Sequence, residues 1–301
     1  MAAVDTASFR RPPSNIAELP RRAVRIEILG TVSVYVDERE RPIRAHKVRA
    51  LLATLALDAG RSVSNVELAD ELWSGQPLGN VQNALQAHAA RLRKVLDGPK
   101  RRPGGETVLR TVQGGYVLDV PGDRVDANRF LELAGQGAAA LRVDPRRAVR
   151  LLESALRLWR GPALLDAGDG LRCRAGAALY EERRLAVCEN LAFARLVVGD
   201  AGQAAAELRR LETEHPLHER FCELLMIALY QLGRQGEALH TYHRIRERLD
   251  RELGLEPSAP LRARHTEILA QRQVLTLMPT HARAGGPVLA VPAVPAWSRS
   301  A

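Results

Sequence analysis

Near Val125 the apolar residues change their spacing, and that change restricts the chain to two kinds of folding unit. Upstream, short strand-like stretches flank helical ones; downstream, no strand pattern remains. Val24-Arg25-Ile26-Glu27-Ile28 and Val32-Ser33-Val34-Tyr35-Val36 put an apolar side chain at every second position, with Gly30 and Thr31 between them. That is the period of two half-buried strands, and Pro42-Ile43 begins a third. From Lys47 the period lengthens. Val48, Leu51, Leu52 and Leu55 share a helical face, and Gly60 closes it. Ser64-Asn65-Val66-Glu67 has the form of a capping box: the serine caps the helix start and the glutamate reaches back. This second helix carries Leu68 and Leu72 and ends near Trp73. Asn80 caps a third, Val81 to Leu96, which Asp97-Gly98-Pro99 stops. Thr107 to Thr111 and Tyr116 to Val120 alternate around Gln113-Gly114-Gly115 and form a hairpin.

Strands, three helices and a hairpin make an α+β winged helix-turn-helix with an added N-terminal sheet, the OmpR-type arrangement, over residues 23–120. Residues 125–273 read as a second, all-α domain. Its helices fall at about 126–141, 144–159, 171–198, 201–214, 217–232, 235–252 and 258–273. A repeat runs through them. Gly199 and Gly233 are 34 residues apart, as are Cys188 and Cys222. Counted from Gly199, Ala204, Leu208 and Leu211 occupy the offsets that Ala238, Tyr242 and Ile245 occupy from Gly233, and Ala148, Leu152 and Ala155 form an earlier partial copy. Paired helices with this period are tetratricopeptide-like, and Cys188 and Cys222 are then equivalent small core positions.

Apolar residues are 46% of the 301, enough for sizeable cores, but aromatics are only 4%, so leucine, valine and alanine must fill them. Three cysteines at wide spacing suit neither a disulfide framework nor a zinc knuckle and read as reduced, buried thiols. No apolar run is long enough to span a membrane, and the first 22 residues lack the apolar stretch of a signal peptide. Residues 1–22 read as a disordered arm and 279–301 as a disordered tail. The expected location is the cytoplasm, in association with the nucleoid.

A formal charge of +9 favours a polyanionic partner. The total is weak support, because Lys47, Lys94 and Lys100 are the only lysines among 44 basic residues, an arginine skew typical of GC-rich coding. Position says more. Between residues 91 and 110, Arg91, Arg93, Lys94, Lys100, Arg101, Arg102 and Arg110 face only Asp97 and Glu106. In the third helix Leu85, Ala89, Leu92 and Leu96 form a stripe that seats it on a core. The opposite arc shows Asn83, Gln86, Ala87, Ala90, Arg91 and Lys94, with His88 and Arg93 at its margins. Amides can bind adenine edges, arginine can grip guanine or phosphate, and small alanines let the backbone approach bases. Gln86, Ala87 and Arg91 are the candidates for base contact, and Arg93, Lys94 and Arg102 for phosphate. Arg110, Thr111 and Gln113 are wing candidates, or ordinary hairpin surface. Trp73 is helix-end packing or a backbone contact. The bland alternative for the whole arc is a solvated face.

Longer words in the sequence resemble the Streptomyces antibiotic regulatory protein (SARP) family. They include His46-Lys47-Val48-Arg49-Ala50-Leu51-Leu52-Ala53, Glu71-Leu72-Trp73, Asn83-Ala84-Leu85-Gln86-Ala87-His88 and Gly114-Gly115-Tyr116-Val117-Leu118. In the helical half, Leu158-Trp159-Arg160-Gly161-Pro162-Ala163-Leu164, His215-Pro216-Leu217-His218-Glu219-Arg220 and Glu252-Leu253-Gly254-Leu255-Glu256-Pro257 continue them. Any one is weak; in order, over roughly 24–273, they are specific. Ala89 is smaller than the valine expected there. The resemblance implies a transcriptional activator with an OmpR-like DNA-binding domain and a bacterial transcriptional activation domain. It further implies binding to promoter direct repeats, with room for a homodimer on DNA, and recruitment of RNA polymerase holoenzyme with its sigma factor. Without a Gly-x-x-x-x-Gly-Lys-Ser/Thr phosphate loop, the chain resembles the small members.

No catalytic constellation and no cofactor motif emerges. His240 with His243, and His215 with His218, have metal-compatible spacing but read as packing residues. Two other functions stay open: a tetratricopeptide-like interaction scaffold, and a ligand-gated sensor.

Overall fold

The computed structural model describes residues 23–73, 80–98 and 107–271. The arm 1–22, the tail 279–301 and Arg102 lie outside them. The first alternating stretch forms strands β1 (Val24–Glu27) and β2 (Ser33–Val36), antiparallel, with Val24 opposite Val36 and Glu27 opposite Ser33. Val24, Ile26, Val34 and Val36 turn inward, while Arg25 lies over the Tyr35 ring at 4.1 Å on the other face. The third strand comes earlier than expected: β3 is Arg39–Glu40, and Pro42-Ile43 lies beyond it. Asp37 and Glu38 both take left-handed backbone, φ 52 and 59, and so reverse the chain in two residues. Such turns usually announce themselves with Asn-Gly or Asp-Gly; Asp37 fits the first position, but Glu38 stands where the glycine would.

Helix α1 (His46–Leu57) is followed by β4 (Ser62–Ser64), a three-residue strand too short to show in the sequence. Helices α2 (Asn65–Trp73) and α3 (Val81–Asp97) complete the helix-turn-helix. The capping box forms as the spacing predicts: Ser64 N donates to Glu67 Oε2 at 2.9 Å, and Glu67 N donates to Ser64 Oγ at 3.2 Å. The hairpin is β5 (Leu109–Val112) and β6 (Gly115–Leu118), and β4 joins it in the order β4-β6-β5. Gly115 is obligatory there, since a Cβ would stand 2.2 Å from the Val63 carbonyl oxygen.

After a 3-10 turn at Gly122–Arg124 the helical half runs α4 (Asp126–Ala140), α5 (Pro145–Leu156), α6 (Leu171–Val197), α7 (Ala201–Glu214), α8 (Glu219–Gln231), α9 (Gln235–Leu253) and α10 (Ala259–Leu269). The repeat positions Ala148, Leu152, Ala155, Ala204, Leu208, Leu211, Ala238, Tyr242 and Ile245 are all buried. Gly199 and Gly233 take φ of 85 and 73 at the two equivalent turns, where a side chain would be strained. Cys222 is buried and Cys188 half-buried.

The two halves share one continuous core. The main chain beyond β1 is read directly by the helical half: Arg160 N donates to Leu29 O, Leu164 N to Ile28 O and Leu165 N to Gly30 O, at 2.8–3.1 Å. Asp126 accepts from Ile28 N at 2.8 Å and Leu29 N at 3.0 Å, and Arg160 pairs with both Asp126 and Glu27. Burial lifts the Asp126 carboxyl above its ordinary range, against the pull of the two N–H donors and Arg160.

Candidate nucleic-acid interface

Helix α3 divides as its sequence demands. Leu85, Ala89, Leu92 and Leu96 are buried, with Ala89 fully enclosed despite its small size. Asn83, Gln86, Ala87, Ala90, Arg91 and Lys94 are exposed on the other side. Asn80 caps the helix by accepting from Asn83 N at 3.0 Å. Gln82 is exposed too and was missed in the sequence. It stands one turn before Gln86, and that i, i+4 relation was the available signal.

The marginal residues turn away from this arc. His88 is half-buried beside Trp73, with ring centres 5.9 Å apart, and Trp73 itself packs against the core. Burial, then the charges of Arg91 and Lys47, hold the His88 imidazole below its usual range. Lys47 Nζ donates to the Leu72 carbonyl and ties the last turn of α2 to the start of α1.

Arg93 is committed to the wing. Its Nε donates to Leu109 O at 2.9 Å, an Nη to Thr111 Oγ1 at 2.6 Å, and its guanidinium lies 5.7 Å from the Tyr116 ring centre. The arginine expected to grip phosphate therefore acts as a strut that sets the wing against α3, and Thr111 is its partner. Arg110 pairs with Asp119 at 3.2 Å, and Gln113 is exposed at the hairpin tip beside Gly114, whose φ is 75. Among the described residues, Arg91 and Lys94 are the α3 cations without such a bond. The result is one exposed surface with amides and two free cations on a helix, flanked by a braced hairpin. A helix of this kind fits the major groove, and a wing in this position reaches the neighbouring backbone.

Elsewhere, no group of three or more His, Cys, Asp or Glu among the described residues stands close enough to hold a metal ion. His218 stacks on Phe221 with ring centres 4.1 Å apart, and His243 meets His265 at 5.6 Å. A groove of about 370 Å3 between α5, α6 and α7 has an apolar floor including Leu156, Leu191 and Leu211, and Arg195 lies across it between Glu153 and Glu207. No helix of the described residues is long and apolar enough to cross a membrane.

Comparison with known proteins agrees with this geometry. Residues 41–118 match the family described as transcriptional regulatory protein, C terminal, and residues 125–269 match the bacterial transcriptional activator domain. The chain is 58% identical to transcriptional regulator RedD of Streptomyces coelicolor, over 84% of this chain and 72% of that one. It is 36% identical to regulatory protein DnrI of Streptomyces peucetius, over 79% and 89%. A solved structure of Mycobacterium tuberculosis EmbR, in complex with a low affinity phosphopeptide, superposes with a TM-score of 0.80 at 31% identity, covering 85% of this chain and 67% of that one. A winged helix with an outward polar helix, joined to a helical activator domain, defines a DNA-binding transcriptional regulator and not an enzyme. The chain belongs to the Streptomyces antibiotic regulatory protein family.

Proposed function

We propose that the chain is a sequence-specific activator of a secondary-metabolite (antibiotic) gene cluster. It acts at the nucleoid in the cytoplasm, binds promoter direct repeats, with a homodimer as the natural occupant of two repeats, and recruits RNA polymerase holoenzyme with its sigma factor. Residues 23–120 are the DNA-binding domain and 125–273 the activation domain. Gln86, Ala87 and Arg91 read bases, helped by Asn83, Ala90 and Gln82. Lys94 and Arg102 hold phosphate, and Arg110, Thr111 and Gln113 meet the backbone beside the wing. Arg93 serves them from behind. His88 and Trp73 support the helix from its margin.

The observation that carries this reading is the division of α3, with four side chains sealed in the core and the amides and free cations facing solvent. A footprint on promoters of the neighbouring gene cluster tests it. Protection of two short repeats in the same orientation, and added transcripts when holoenzyme is supplied, are expected. Failure to bind any fragment at low salt, where phosphate contacts are strongest, would leave the scaffold reading in its place.

A further inference from the structure

Helix α6 does not supply its own N-cap. It begins at Leu171 after Gly170, which has no side chain to offer. The N–H groups of Arg172 and Cys173 instead donate to the two carboxylate oxygens of Glu71, each at 2.8 Å. Glu71 is on α2, the first helix of the helix-turn-helix, and only 6% exposed. A carboxylate at a helix N-terminus satisfies orphan donors and complements the helix dipole. A planar group held at both oxygens also fixes rotation, which a single contact would not.

The surroundings are built for this approach. A Cβ at Gly170 would lie 2.2 Å from the Glu71 carboxyl, and one at Gly176 would lie 2.9 Å from Leu57. The Arg172 side chain reaches back across the same seam. It pairs with Asp58 just past α1 and, at 2.7 Å, with Glu67 of the α2 capping box. Thr54 Oγ1 and Cys173 Sγ meet at 3.7 Å. The helix that carries the reading helix is thus bolted to the longest helix of the activation half, across about a hundred residues of sequence.

We propose that Glu71 is a positioning residue that fixes the DNA-reading helix at one angle to the helical domain, so that binding presents the activation surface at one rotational phase on the duplex. This rests on the activator reading above. A flexible tether between the halves would tolerate any phase.

Glu71→Gln keeps the shape and turns an amide N–H toward a backbone N–H. Gly170→Ala pushes on the same contact from the other side. Full-length wild type and both variants are compared on promoters with up to ten or so base pairs inserted between operator and promoter, about one helical turn. Operator affinity should stay within about threefold of wild type for the variants, since α3 is untouched. Wild-type activation should rise and fall once per turn, and both variants should lose at least about half of that amplitude. Thr54→Cys added to Glu71→Gln, oxidised onto Cys173, should restore the oscillation, and reduction should remove it again. Mere destabilisation would lower activation at every spacing without flattening it, and the crosslink, which stabilises the fold, would then raise activation at every spacing alike. Variants with wild-type periodicity, or a wild type that activates equally at all spacings, overturn the proposal. A wild type that binds but activates at no spacing would refute the activator reading instead. Amide exchange at Arg172 and Cys173 then decides the joint, and unchanged protection in Glu71→Gln would sink it.

Discussion

Replacing Lys94 with alanine should alter how binding responds to salt, and replacing Arg91 should alter which sequence is bound. Both side chains are exposed on α3, and neither pairs with another described residue, whereas Arg93 is bonded to the wing and Arg110 to Asp119. Each phosphate contact contributes about 0.9 to the slope of log K against log salt concentration. Over a fourfold rise in salt, roughly 50 to 200 mM, one contact is worth a factor of about 3.5. Lys94→Ala should lose affinity for every duplex and show a salt response shallower by that factor. A base-edge contact carries no counterion release of this kind. Arg91→Ala should cost about 1–3 kcal/mol on the operator, roughly 5- to 150-fold, with a slope near wild type and little change on scrambled DNA. Fluorescence anisotropy titrations of both variants, on operator and scrambled duplex across that salt range, measure all four quantities. Equal losses on the two duplexes for both variants, with equal slopes, would refute the division of roles.

Asp126→Ala should strand the buried N–H groups of Ile28 and Leu29, at about 1–3 kcal/mol each, and lower the melting temperature by roughly 5–20 °C. An unchanged calorimetric transition would show that the seam does not depend on this carboxylate. Burial pushes the Cys173 and Cys188 thiols up to about 12 and about 11, and Cys222 higher still. Alkylation of Cys173 and Cys222 in the native chain near pH 8 should therefore run ~100-fold or more slower than for free cysteine, and rapid labelling of either would contradict the packing, whereas Cys188, half-buried on the groove between α5, α6 and α7, should label first. Burial also depresses His88, His218 and His265, reinforced by Arg91 and Lys47, by His215, and by His243 and Arg246 respectively. Below the unfolded value near 6.5 the unfolded chain takes up more protons than the native one, so stability should fall on acidification until the folded values are passed. Urea unfolding at about pH 7.5 and pH 5.5 should show that loss, smaller in His88→Gln; a flat profile would reject it.

Features fixed by local spacing were legible in the sequence. The Leu85, Ala89, Leu92, Leu96 stripe, the Ser64–Glu67 box and the Asn80 cap each involve residues a few turns apart at most, and backbone geometry alone dictates their relation. The β5–β6 hairpin was legible for the same reason. What was not legible depended on neighbours far along the chain. β4 is too short to carry a period and exists because β6 pairs with it. The β3 turn hid because Glu38, in left-handed backbone, stands at the second turn position where a glycine usually follows Asp. Arg93 looked like a phosphate ligand because its spacing placed it on the margin, and only the position of Leu109 and Thr111 shows it turned to the wing. Glu71 stood out as part of a family word, yet its partners lie 101 and 102 residues downstream.

The seam along Ile28, Leu29 and Gly30 sets how reading heads can be exchanged between relatives. A hybrid joined near residue 120 would set one parent's 28–30 edge against another parent's 160–166 loop, where three main-chain bonds and Arg160 must match. Retargeting should fare better by transplanting only the outward side chains of α3 and the hairpin tip onto an otherwise intact recipient. The chassis would then keep both sides of its own weld.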